Sequence, residues 1–129
     1  MLKIIIDDKM YTIRFKHEDY SKLGLLDDLS IPYSKKKELT NKTTCTFTID
    51  DLKTMECIDI NNGYAYCKEE DRFSRKIGRK KSLTKAIKDT INKDFDFFTK
   101  DIRRLIWNDY FKWSKQWIIN MTLKQIKTY

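Results

Sequence analysis

MECIDINNGYAYCKEEDRFSRKIGRKKSLTKAI, residues 55–87, carries two periodicities, and the point where one gives way to the other decides the fold. MECIDI (55–60) and GYAYCK (63–68) alternate in the manner of strands. Asn61-Asn62-Gly63 lies between them, and its residues tolerate positive φ, so the pair reads as a hairpin. Beyond residue 80 the period lengthens. Leu83, Ala86, Ile87 and Ile91 fall on one face of a helix expected over roughly 83–93, with Ser82 as its N-cap. A sheet followed by helices is an α+β domain.

LKIII (2–6) and MYTIRF (10–15) flank a short Asp-Asp-Lys turn, with Tyr11, Ile13 and Phe15 alternating with polar residues. TTCTFTID (43–50) is the clearest strand: Cys45, Phe47 and Ile49 are expected in the core, and Thr44, Thr46 and Thr48 on the opposite face. Residues 16–40 are mixed, with a short helix expected before Pro32 and a solvated loop at Lys35-Lys36-Lys37. The sum is an antiparallel sheet of about five strands. On the other side, a long helix is expected from about Thr99 to Lys127, with Ile102, Ile106, Tyr110, Trp113, Trp117 and Met121 recurring every three or four residues. Leu105, Trp107, Phe111, Ile118 and Leu123 widen that stripe beyond what one contact with a small sheet buries, so part of it is expected on the sheet and part against a partner.

The chain has 129 residues, which suits one domain over 1–129, mainly β in 1–70 and mainly α in 71–129. It is 40% hydrophobic and 13% aromatic, too apolar for a disordered chain, and only three Gly and one Pro make a Gly-rich phosphate loop an unpromising idea. MLKIIIDD is too short in its apolar run for a signal peptide, and no stretch approaches membrane-spanning length. Cys45, Cys57 and Cys67 are odd in number and lack CxxC spacing, so they read as reduced thiols, small core residues of a cytoplasmic protein.

Net charge is +8 and is unevenly spread. Residues 1–70 hold 11 Lys/Arg against 13 Asp/Glu, whereas residues 71–93 hold 9 against 2 and residues 100–129 hold 7 against 2. Such asymmetry points to a polyanion or an acidic partner for the C-terminal half. Arg75, Lys76, Arg79, Lys80, Lys81 and Lys85 crowd the expected start of a helix, where acids are the favoured residues. With Gly78 as a backbone bend and the unpaired N–H groups of a first turn, these side chains suit a phosphate; a solvated basic loop accounts for the same charge.

The pattern Cys45, then Gly63-x-Ala65-x-Cys67, then Asp71-x-Phe73-Ser74-Arg75-Lys76-Ile77-Gly78-Arg79-Lys80-x-Ser82-Leu83-x-Lys85-Ala86 resembles a class of small proteins encoded by phages and prophages of low-GC bacteria. The resemblance covers residues 43 to about 90 and implies a hairpin leading into a helix, with no established activity attached. By analogy, a small charged phage protein is expected to bind a host nucleoprotein complex, such as a CRISPR effector, and inhibit it as anti-CRISPR proteins do. Its basic character disfavours DNA mimicry and favours grip on guide RNA, on DNA or on an acidic protein face. The alternative is a free-standing DNA- or RNA-binding protein of phage replication or gene expression.

Arg103, Arg104 and Lys112 lie among Trp107, Phe111 and Trp113, a mixture suited to backbone contact and base stacking, to a protein interface, or, for the aromatics, simply to the core. Evidence for catalysis is poor. His17 is the only histidine and is expected in a loop or at a sheet edge. Three thiols without paired spacing argue against a zinc site, and Asp50-Asp51 and Glu69-Glu70-Asp71 are as well explained by acidic turns as by a metal-dependent nuclease. No cofactor and no metal are expected.

Overall fold

A computed structural model describes residues 1–19, 41–67 and 75–127, with α2 side chains described as far as Gln116. The elements are β1 (Leu2–Ile6), β2 (Lys9–Asp19), β3 (Asn41–Asp51), β4 (Glu56–Cys67), α1 (Arg75–Asn92) and α2 (Lys100–Lys127). The strands form one antiparallel sheet in the order β1-β2-β3-β4, and both helices contribute to the core on one of its faces. The class is α+β, as the change of period implies.

Alternation along the strands sets the two faces. Ile4, Tyr11, Ile13, Cys45, Phe47 and Ile49 are buried together with Leu83, Ala86 and Ile87 of α1 and Ile106 and Tyr110 of α2. Between the helices, Phe98 enters the same core, its ring centroid 6.0 Å from those of both Tyr11 and Phe47. Thr99 then opens α2: its carbonyl accepts from Arg103 N–H at 3.1 Å and its hydroxyl from Ile102 N–H at 3.4 Å. The β1–β2 turn is Asp7-Asp8, with Asp7 at φ 55°, a conformation that Asp tolerates. The β3–β4 reversal lies at residues 52–55 and places Met55 at φ 60°.

The sheet has four strands among the described residues, not five, because Asn61-Asn62-Gly63 does not turn. It runs straight through β4, opposite Phe47, Thr46 and Cys45. Two tertiary contacts override its turn propensity. Asn61 is buried on the core face, where its amide donates to the Thr90 hydroxyl at 2.7 Å and to Asp59 at 2.6 Å, while its carbonyl oxygen accepts from Lys93 at 2.8 Å. Gly63 gives α1 room: a Cβ there would lie 1.9 Å from the Ser82 carbonyl oxygen and 2.6 Å from Ala86 N.

The helix side of that contact is equally small. Gly78, Ser82, Ala86 and Thr90 recur every fourth residue and are all buried. Ser82 is therefore no N-cap; it sits mid-helix, its hydroxyl donating to the Arg79 carbonyl at 3.1 Å. Gly78 is no bend either, for it lies in the helix against Thr43, whose Oγ1 would be 2.5 Å from an added Cβ. The basic segment is thus within α1 rather than ahead of it. Cys45 is buried and Cys57 exposed, which corrects the expectation that all three thiols are core; the Cys67 side chain lies outside the described residues. So do the expected helix before Pro32, the Lys35-Lys36-Lys37 loop, Glu69-Glu70-Asp71, and the side chains of Trp117, Ile118, Met121 and Leu123.

Candidate polyanion-binding face

The sheet-facing sides of α1 and α2 leave their outer sides to solvent, and those sides are basic. Arg75 and Lys76 open α1, whose first turn has no acid, so their cations stand where the helix dipole is already positive. Lys80, Lys81, Lys85 and Lys88 are exposed and follow one arc of the same helix by their spacing. On α2, Lys100, Arg104 and Lys112 are exposed and Arg103 half-buried. None of these ten cations forms an ion pair among the described residues; the ion pairs there use Lys9, Lys16, Lys53 and Lys93.

The two helices enclose a groove of ≈ 470 Å³. Ile87, Ile91 and Trp107 supply apolar lining, and Lys88, Lys100, Arg103 and Arg104 supply four cations with no carboxylate among the lining residues. Arg103 is held in place, donating to the Phe98 carbonyl at 3.0 Å with its guanidinium 5.9 Å from the Phe98 ring. Trp107 stacks on Phe111, centroids 5.6 Å apart, and meets Tyr110 edge-on. The Lys80 ammonium of α1 lies 5.9 Å from the Phe111 ring of α2. Leu105 and Phe111 add exposed apolar surface, 48% and 43% accessible.

Of the expected contact residues, Arg103, Arg104 and Trp107 come together in the groove. Lys80 stands beside it through Phe111, while Lys81, Lys85, Arg75, Lys76 and Lys112 are exposed on the helices outside the lining. Arg79 is a correction. It is buried, on the same side of α1 as Leu83 and Ile87, and its cation lies near the Tyr110 side chain. Burial pushes the Tyr110 hydroxyl up, and the neighbouring Arg79 cation opposes that rise. His17, in the part of β2 that extends past β1, approaches the Thr43 hydroxyl at 2.8 Å; burial, then Arg75 and Arg79, hold it below its ordinary value. Arg79 therefore belongs to an internal polar cluster joining α1, β2 and α2, not to the outer face.

Lys88, Lys100, Thr84, Ile87 and Ile91 were not expected as site residues. A signal for them exists in the spacing: Lys80, Thr84 and Lys88 recur by fours, as do Lys100 and Arg104. Among the described residues no group of three His, Cys, Asp or Glu is placed to hold a metal ion, and no helix is long and apolar enough to cross a membrane. Asp51 of the expected acidic pair caps its own turn, accepting from Lys53 N–H at 2.9 Å. The chain matches no protein-family model, no curated protein and no solved structure.

Proposed function

We propose that the protein is a non-enzymatic binding protein whose α1–α2 face grips the phosphates of a nucleic acid, acting on a host nucleoprotein complex in the bacterial cytoplasm in the manner of an anti-CRISPR inhibitor. One observation carries the reading: exposed cations line both helices and the groove between them, and no ion pair among the described residues offsets them. Cations so placed release counterions when they meet a phosphate backbone, and that release drives binding. Contact by Lys80, Lys81, Lys85, Lys88, Lys100 and Arg104 with one phosphate each would give a log–log salt slope of about −5 on duplex DNA.

The test is fluorescence anisotropy of labelled duplex and single strands against the chain over a salt series. The Lys88→Glu/Arg104→Glu variant is expected to weaken binding and flatten the slope by about two, with the melting temperature nearly unchanged because both residues are exposed. A second reading, an acidic protein surface, draws on the exposed Leu105 and Phe111 beside the groove, which suit a protein interface better than a phosphate backbone. Absence of salt-dependent nucleic-acid binding overturns the first reading in favour of the second.

A further inference from the structure

The second face of the sheet, away from the helices, has no element of the described core over it. Its composition differs from that of the helical face. Register places Lys16, Thr44 and Tyr64 in one row across β2, β3 and β4, with Glu18, Lys42 and Tyr66 in the row on one side and Arg14, Thr46 and Asn62 in the row on the other. Tyr64 and Tyr66 are 37% and 51% exposed, although aromatic side chains of this size usually bury more of themselves against a core. As residues i and i+2 of one strand they project from the same face about 6.8 Å apart, twice the ~3.4 Å rise of stacked bases. Lys42 lies with its ammonium 4.3 Å from the Tyr64 ring and 5.9 Å from that of Tyr66.

We infer that this sheet face is a stacking platform for single-stranded nucleic acid, with two bases of an unstacked strand on Tyr64 and Tyr66 and the backbone passing over Lys42, Lys16 and Arg14. Two observations select that occupant. The rings stand in file along a strand, which matches a run of bases. Among the described residues these rows hold three cations, Arg14, Lys16 and Lys42, and one acid, Glu18, which lies 3.8 Å from Lys16. Duplex DNA is disfavoured, because its bases are not free to lie on the rings. The half-buried Lys42 already lies at the ring faces, and a base stacking there takes the place of its cation–π contact while its ammonium stays beside the backbone. Thr44, Thr46 and Asn62 supply hydroxyl and amide groups for base edges, with the Thr46 hydroxyl already donating to Asn62 at 2.9 Å. The platform stands apart from the α1–α2 face and does not require it.

The experiment is anisotropy at low salt with labelled dT12, rU12 and an abasic 12-mer of equal phosphate count. The wild-type chain is expected to bind dT12 or rU12 about tenfold or more tightly than the abasic strand, with the stronger of the two identifying DNA or RNA. Tyr64→Ala/Tyr66→Ala is expected to erase that preference, and Tyr64→Phe/Tyr66→Phe to keep it, since stacking needs the ring and not the hydroxyl. Lys88→Glu/Arg104→Glu should keep the preference, so failure of the helical face and failure of the platform read out separately. Equal affinity for dT12, rU12 and the abasic strand, a preference that survives in the alanine pair while its circular dichroism is native, or no binding of dT12 or rU12 by the wild-type chain overturns the inference.

Discussion

Replacing Gly63 by Ala tests the contact that seats α1, and hence the basic face, on the sheet. The new methyl would meet the Ser82 carbonyl oxygen at 1.9 Å, Ala86 N at 2.6 Å and the Ser82 carbonyl carbon at 3.0 Å. All three are backbone atoms of one helix, so no side-chain rotation relieves the clash. Restoring an ordinary separation of about 3.4 Å requires α1 to move out by roughly 1.5 Å, loosening Leu83 and Ile87 in the core and pulling Thr90 from Asn61. Overpacking of this kind costs typically about 1–3 kcal/mol, and backbone on the opposing side puts Gly63→Ala at the upper end, about 3 kcal/mol. The intrinsic advantage of Ala over Gly in a strand, about 0.5–1 kcal/mol, does not offset that. For a chain of this length the melting temperature should fall by about 10 °C, measured by circular dichroism, with a matching drop in the urea midpoint at constant slope. Asn62→Thr separates this account from a turn at the same residues. At an exposed strand position such as that of Asn62 a β-branched residue is accepted, whereas at a turn requiring positive φ it is penalised. Loss of less than about 0.5 kcal/mol in Gly63→Ala, or strong destabilisation by Asn62→Thr, would refute the continuous strand and its helix contact.

Two further outcomes follow from local geometry. Met55 is 80% exposed at φ 60°, so Met55→Gly should stabilise by about 0.5–1 kcal/mol in urea titration, the relief of left-handed strain exceeding the added chain entropy; a loss of stability would contradict that conformation. His17 is held below its ordinary value of 6.5 in the folded chain, so its neutral form is favoured there; the stability it contributes is fully present above 6.5 and is lost as pH falls from there through the lower folded value. The melting temperature should therefore drop more between pH 7.5 and 5.5 in the wild type than in His17→Gln, and equal drops would remove His17 from the account.

How far the fold was legible depends on the range of the forces involved. TTCTFTID shows its two faces because alternation is a property of one strand against one core, and Cys45, Phe47 and Ile49 are buried as that pattern requires. The long helix announced itself in the same way, and its start at Lys100 after Thr99 agrees with local capping chemistry. Asn61-Asn62-Gly63 and Ser82 misled for one common reason. Each has a local backbone preference that yields, in the fold, to a contact with a residue remote in sequence, Thr90 for Asn61 and Ser82 for Gly63. The recurrence of Gly78, Ser82, Ala86 and Thr90 was visible in the chain, but small residues carry no hydrophobic period, so the stripe stood out only against β4.

The candidate site divides along the same line. That the C-terminal half is strongly basic, that its charge rides on helices, and that Arg103, Arg104 and Trp107 lie close together follow from composition and from neighbours on one helix. Tertiary structure alone decided which cations face outward. Arg79 is turned inward to Tyr110 by a helix rotation that the small-residue contact with β4 imposes. The same rotation leaves Lys80 and Lys88 outward and sets Lys88 across from Arg104. Charge is a property of a residue, but its availability to a partner depends on burial, and burial is settled only when the helix docks.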